Sequence, residues 1–175
     1  MKKVIYKIIL ILEMILLVNS LCGCNAKDKI QLERDKTEEV AISIINMIEN
    51  DNREGLKNYF TEEAIQTEDF DLGLEHVFSC YNGKYENFKD SGTHVRDIFD
   101  SGKQTKMALA YFDIVTDDSE FLLYFEYYLK DEINNNTSKI STLKLVRKAD
   151  FGDGYDYGNC YDRIGIYNPK WDLNL

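Results

Sequence analysis

The sequence predicts an α+β fold, with helices in the first half and an antiparallel sheet in the second. Three observations carry that expectation. Apolar residues recur at helical period up to about residue 81. From about residue 93 onward, aromatic and aliphatic residues run instead in blocks of strand length. Short polar turns part those blocks, so successive strands pair with their chain neighbours. Helices segregated from an antiparallel sheet bury their apolar stripes against one face of it.

The first helix is marked by Val40, Ile44, Met47 and Ile48, which fall at i, i+4, i+7 and i+8, with Ala41 and Ile45 beside them. That is one apolar stripe at a 3.6-residue period. Asp35 and Glu38 have capping-box spacing at its start. Asn50-Asp51-Asn52 stops the helix and can cap the next. A shorter second helix carries Leu56, Tyr59 and Phe60 and is followed by Thr61-Glu62-Glu63-Ala64. The third runs from about Asp69 to Tyr81, with Leu74, Val77, Phe78 and Tyr81 on one face, and Asn82-Gly83 ends it.

Thr93–Phe99 reads as a strand ahead of the turn Asp100-Ser101-Gly102. Lys106–Thr116 and Glu120–Lys130 are joined by Asp117-Asp118-Ser119 and read as a hairpin. Asn134-Asn135-Asn136 breaks the chain, and Lys139–Arg147 follows as another strand. The expected domain therefore has three N-terminal helices on an antiparallel sheet of four or more strands.

The N-terminus has a different design. Lys2, Lys3 and Lys7 lead into the apolar run 8–18, which Glu13 interrupts. A membrane span needs about 20 mostly apolar residues, and this run falls short. A charged start, a short apolar stretch and a small-residue site make an export signal. Leu21-Cys22-Gly23-Cys24 at its end resembles the lipobox of bacterial lipoproteins. The resemblance implies cleavage after Gly23 and a lipid on Cys24, which holds the chain on the outer face of the cytoplasmic membrane. The expected organisation is residues 1–23 as signal, 24–30 as lipidated cysteine and short polar tether, and 31–175 as one domain, the size of an ordinary single core.

The 175-residue chain carries a formal net charge of -10. Removing residues 1–23, with three lysines and one glutamate, makes it -12. Nucleic acid binding needs clustered Lys and Arg, so that class of partner is excluded. An acidic surface also disfavours electrostatic docking on an anionic leaflet. Membrane attachment is then expected from the lipid alone.

Of the four cysteines, Cys80 and Cys160 remain for the folded domain. In an exported protein they can form a disulfide or stay as two separate thiols. Neither lies in a metal-ligand spacing. Asp150, Asp153 and Asp156 recur every third residue, where a calcium loop needs alternate positions and a distal Glu. No metal and no cofactor is expected. His76 and His94 stand apart in sequence and read as surface residues.

Several stretches together resemble a known family: Tyr59–Ala64 (YFTEEA), Phe88–Gly92 (FKDSG), Gly102–Glu132 and Gly165–Lys170 (GIYNPK). With the lipobox, they are similar to a family of uncharacterised lipoproteins of Gram-positive bacteria, a domain of unknown function. The resemblance implies a cystatin-like cone, of the kind found in nuclear transport factor two, in which helices and a curved sheet enclose a pocket. It brings no catalytic residues.

Function is therefore left to the residues. A non-enzymatic binding or interaction domain is the first expectation, because no nucleophile–base motif occurs. Its partner is an unidentified protein or small molecule. An inhibitor or immunity protein that meets a basic toxin is a variant of that class. The alternative is a cone enzyme, an isomerase or dehydratase acting on a small apolar molecule. Such sites use one desolvated carboxylate base and a phenol or neutral acid as donor. Asp113, between Phe112 and Ile114 and in pleat phase with Tyr111, is the candidate base. Tyr124, Glu126 and Tyr128 alternate and so share a sheet face. With Tyr111 they are the candidate binding residues.

Overall fold

A computed structural model of the chain describes residues 29–150 and 163–169. The chain divides into two compact units, Met1–Lys36 and Thr37–Leu175. In the first, residues 29–36 are helical, and Gln31 Nε2 donates to Asp35 Oδ1 at 2.7 Å. Among the described residues no helix is long and apolar enough to cross a membrane. The expected signal and Cys24 lie outside those residues.

The second unit is α+β. Helix α1 comprises residues 29–49, of which 37–49 belong to this unit. Asp35 thus lies inside the helix rather than at its start, which corrects the capping-box expectation. Val40, Ala41, Ile44, Ile45 and Ile48 are all buried, as the periodicity predicts. Helix α2 is Arg53–Lys57, capped by the Asn52 side chain accepting from the Gly55 amide at 2.9 Å. Helix α3, Glu62–Ile65, is capped by Thr61, whose Oγ1 accepts from the Ala64 amide at 3.1 Å. Helix α4 is Phe70–Cys80. Among the described residues four α-helices replace the expected three, because Thr61-Glu62-Glu63-Ala64 caps and starts a turn of its own.

Five strands follow in sheet order β1-β2-β3-β4-β5: Tyr85–Asp100, Lys103–Thr116, Glu120–Asp131, Ile140–Arg147 and Gly165–Ile166. The first four pair antiparallel, and β5 joins β4 in parallel. The sheet is therefore mixed, not purely antiparallel as expected. β1 begins eight residues before Thr93. Its first half, Tyr85–Gly92, contains polar and turn-forming residues that mask a strand in the sequence. Register shifts at Asp90/Gly92, Lys106/Met107 and Glu126/Tyr127 mark bulges, which bend strands locally.

The helix-facing side of the sheet is apolar at its centre, with Thr116 and Arg147 at its margin bonding to the Asn82 and Cys80 carbonyls. Phe112 and Ile114 of β2, Phe121, Leu123 and Phe125 of β3, and Ile140 and Leu143 of β4 are 0% exposed. They form one cluster with Ile44, Leu56, Phe60, Phe70 and Val77 from the helical segment. The rings of Phe112 and Phe125 stack at 5.9 Å, and those of Phe60 and Phe70 meet edge-on at 5.1 Å. Each such side chain, fully buried, contributes about 1.5–3 kcal/mol. Backbone bonds between Thr61 N and Ile140 O and between Ile140 N and Tyr59 O stitch the α2–α3 link to β4. At the far edge Gly73 of α4 lies against Ile166 of β5. A Cβ at position 73 would come within 2.3 Å of the Ile166 carbonyl oxygen. Only glycine permits that approach.

Candidate functional site

The opposite side of the same sheet carries the predicted binding residues. Strand register places Tyr111 opposite Tyr124 and Tyr124 opposite Lys144, with Leu109 opposite Glu126 in the next row. Tyr124 donates its hydroxyl to Glu126 Oε1 at 2.6 Å, and Ser141 Oγ donates to Glu126 Oε2 at 3.3 Å. The rings of Tyr111 and Tyr124 lie 4.9 Å apart. Lys144 Nζ sits 4.1 Å from the centre of the Tyr167 ring, a cation–π contact. The two-residue period thus brings Tyr111, Tyr124 and Glu126 together as expected. Tyr128 shares the face, opposite Met107, and is half-buried. Burial raises its phenol pKa, with Asp131, Glu63 and Glu126 adding to the effect.

This cluster is closed to ligands. Tyr124 is 1% exposed, Lys144 2% and Glu126 8%. Buried polar groups persist only when hydrogen-bonded or paired, and these carboxylate oxygens already hold two donors. A residue that works on a substrate must reach it, and here the phenol and carboxylate reach each other. The face expected to present a partner surface instead binds its own polar groups.

Asp113 stands on the same side, nearer solvent. Its Oδ1 is 3.2 Å from Lys148 Nζ, and its Oδ2 accepts from Ser91 Oγ at 2.7 Å. Lys148 also reaches Glu120 at 3.1 Å. Partial burial alone would lower the Lys148 pKa, but these two carboxylates outweigh it and raise it. The candidate base is therefore already engaged on both oxygens.

His76 is not a plain surface residue. Its Nε2 is shut off from solvent and meets no hydrogen-bond partner among the described residues, and its ring meets Tyr167 edge-on at 5.6 Å. Burial lowers its pKa. His94 is exposed and faces the Tyr111 ring at 6.3 Å. Cys80 donates to the Val77 and Leu145 carbonyls at 3.6 and 3.7 Å. Burial pushes its thiol up to about 12, so it is not a thiolate nucleophile near neutral pH. Cys160, the other cysteine of the expected domain, lies outside the described residues, as do Asp153 and Asp156, so the choice between a disulfide and two thiols stays open. Among the described residues no three His, Cys, Asp or Glu side chains are placed to hold a metal.

Pockets open at two places among the described residues of the second unit. One, of about 550 Å³, lies between Thr61–Ile65 and the β3–β4 turn. Glu62, Glu63, Asn134, Asn135 and Lys139 line it. The Lys139 ammonium is tied to the Asn58 carbonyl at 2.6 Å. The second, of about 480 Å³, lies where the end of α1 meets the end of α4 and the turn into β1. Both fall in the size range of small-molecule sites. Sequence reasoning found neither, because each is assembled from segments far apart in the chain. The one local signal was the turn pair Asn82-Gly83, read only as a helix stop.

Residues 43–148, more than half of the chain, match a family model described as a domain of unknown function, DUF5104. No curated protein and no solved structure matches the chain.

Proposed function

We propose that this chain, which belongs to the DUF5104 family, is an exported domain held at the outer face of a bacterial cytoplasmic membrane by lipid on Cys24, and that it acts by binding rather than by catalysis. The anchor rests on the Leu21–Cys24 motif and the charged, short apolar segment before it. Processing that adds more than one acyl chain gives stable attachment, where a single chain is marginal. The lipoprotein resemblance supplies the Gram-positive source. The cone-like curvature it implies is supported by the bulges in β1, β2 and the β3–β4 ladder.

One observation carries the binding reading. The space between helices and sheet, where a cone enzyme would keep its substrate, is taken by Phe60, Phe70, Phe112 and Phe125, each at most 2% exposed. Polar recognition groups gather instead at the two surface pockets. The acidic charge of the chain keeps nucleic acid out of the list of ligands.

Two experiments test the two halves. In cells, Cys24→Ala should release the chain from the membrane fraction or leave it uncleaved. A variant cleaved and anchored like the parent would end the lipid-anchor reading. For binding, a fragment library is titrated into the detergent-solubilised full chain while amide resonances are followed. Shifts are expected at residues 58–65 and 134–139, or at 48–50 and 78–84. Shifts centred on the Asp113 neighbourhood, with turnover of a fragment lost in Asp113→Asn, would replace binding with catalysis.

A further inference from the structure

The pocket between the ends of α1 and α4 carries two charged side chains of opposite sign that are not paired with each other. Glu49 is held in place on one oxygen only: Oε1 accepts from the Tyr85 amide at 2.5 Å and from the Tyr81 hydroxyl at 3.4 Å. No described donor meets Oε2. Lys84 lines the same pocket, is exposed, and has no ion-pair partner among the described residues. The rest of the lining is mixed: Ile48, Phe78 and Tyr81 supply an apolar part, and Asn50 and Asn82 a polar one. The Tyr81 ring is fixed by stacking on Phe121 at 5.1 Å. Burial raises the Tyr81 pKa, with Glu49 contributing, so the phenol stays a neutral donor.

The walls are organised before any ligand arrives. Gly83 takes a positive φ of 79° in the turn beneath the pocket. The Lys84 amide donates to Asp117 Oδ1 at 2.5 Å, and the Asp117 amide returns a bond to the Lys84 carbonyl at 3.1 Å. Thr116 Oγ1 donates to the Asn82 carbonyl at 3.0 Å. The turn that presents Lys84 is thus tied to the β2–β3 turn, which limits the ordering cost of binding.

We propose that this pocket binds a small zwitterion with an apolar body, of the class of a free aliphatic amino acid, its ammonium on Glu49 and its carboxylate on Lys84. A cation alone would leave Lys84 facing its charge, and an anion alone would face Glu49. A molecule with both charges meets both side chains, and its aliphatic part meets Ile48 and Phe78. The proposal rests on the binding reading and names the ligand class of one of the two pockets.

Calorimetric titration of the detergent-solubilised full chain tests it with three probes: L-leucine, L-leucinamide, which lacks the carboxylate, and 4-methylpentanoate, which lacks the ammonium. Leucine should bind about tenfold or more tighter than either, the scale of one charge-assisted hydrogen bond. Lys84→Gln should bring leucine down to the leucinamide level and leave leucinamide binding no weaker. Glu49→Gln, which keeps an oxygen for the Tyr85 amide, should weaken leucine and leave 4-methylpentanoate binding no weaker. Leucine binding no tighter than its truncated analogues, or insensitive to both substitutions, overturns the proposal. Leucine failing while fragments still shift residues 58–65 overturns it and leaves the binding reading standing. Silence in both titrations overturns both.

Discussion

At the centre of the sheet the two faces of β2, β3 and β4 are both buried, yet they are built from opposite chemistry. Toward the helices stand Phe112, Ile114, Leu123 and Phe125, each 0% exposed and apolar. Away from them stand Tyr124, Glu126 and Lys144, which are 1%, 8% and 2% exposed and polar or charged. The first face gains from burial without any condition on partners. The second gains only because each polar group is met, as Glu126 is by Tyr124 and Ser141. Burial and hydrophobicity are thus separate properties of this sheet. What alternates along β3 is chemistry, not exposure.

That contrast can be broken most forcefully on the apolar side. Phe125→Ala should cost about 3–5 kcal/mol, since it opens a void against Phe112 that the packed cluster cannot fill. Urea denaturation reads it, and a loss under ~1 kcal/mol would mean the helix-facing side is loosely packed. On the polar side, Glu126→Ala removes the acceptor of two buried hydroxyls and should cost about 1–3 kcal/mol. Glu126→Gln should cost less, because its amide oxygen still accepts from Tyr124. If the two substitutions are equally costly, the charge rather than the hydrogen bonds holds that face.

A smaller effect is expected from pH. Burial disfavours the imidazolium of His76, so its folded pKa lies below the ordinary 6.5. Above pH 6.5 its contribution is therefore fully present. As pH falls through 6.5 toward the depressed folded value, the unfolded chain takes up a proton that the folded chain resists, and stability declines. His76→Gln should flatten that decline in denaturation curves, and an unchanged slope would assign it to other groups. The smallest effect belongs to the half-exposed margin of the polar face. Asp113→Asn breaks the pair with Lys148 and should change stability by less than ~1 kcal/mol. A larger loss would show that the Ser91 hydroxyl and Lys148 hold Asp113 as part of the interior.

The contrast also explains what could be read from the sequence. The stripe Val40–Ile48 and the hairpin around Asp117–Ser119 were legible because each follows a single period set by one buried face. The contact of Tyr124 with Glu126 was legible for the same reason, since residues two apart on a strand share a side. Which face met the helices was not legible, because Leu109 and Leu122 make the polar side look as apolar as the core side. β5 was missed because two residues carry no period. The first half of β1 was missed because Asp90, Ser91 and Gly92, where the chain forms a bulge, carry no apolar alternation. The Glu49–Lys84 pocket was invisible because no local pattern joins residue 49 to residue 84.

The glycine seam between α4 and β5 bears on the order of assembly. Strands β1 to β4 find their partners across short turns, so their contacts close small loops. β5 lies beyond them in the chain and must return to Gly73, more than ninety residues back. Long-range closure is slow and gains nothing until both surfaces exist. We expect the meander to be protected from amide exchange early in refolding. The Tyr167 amide, bonded to Leu143 at 2.8 Å, should be protected last. Simultaneous protection of both in a pulse-labelling experiment would refute that order.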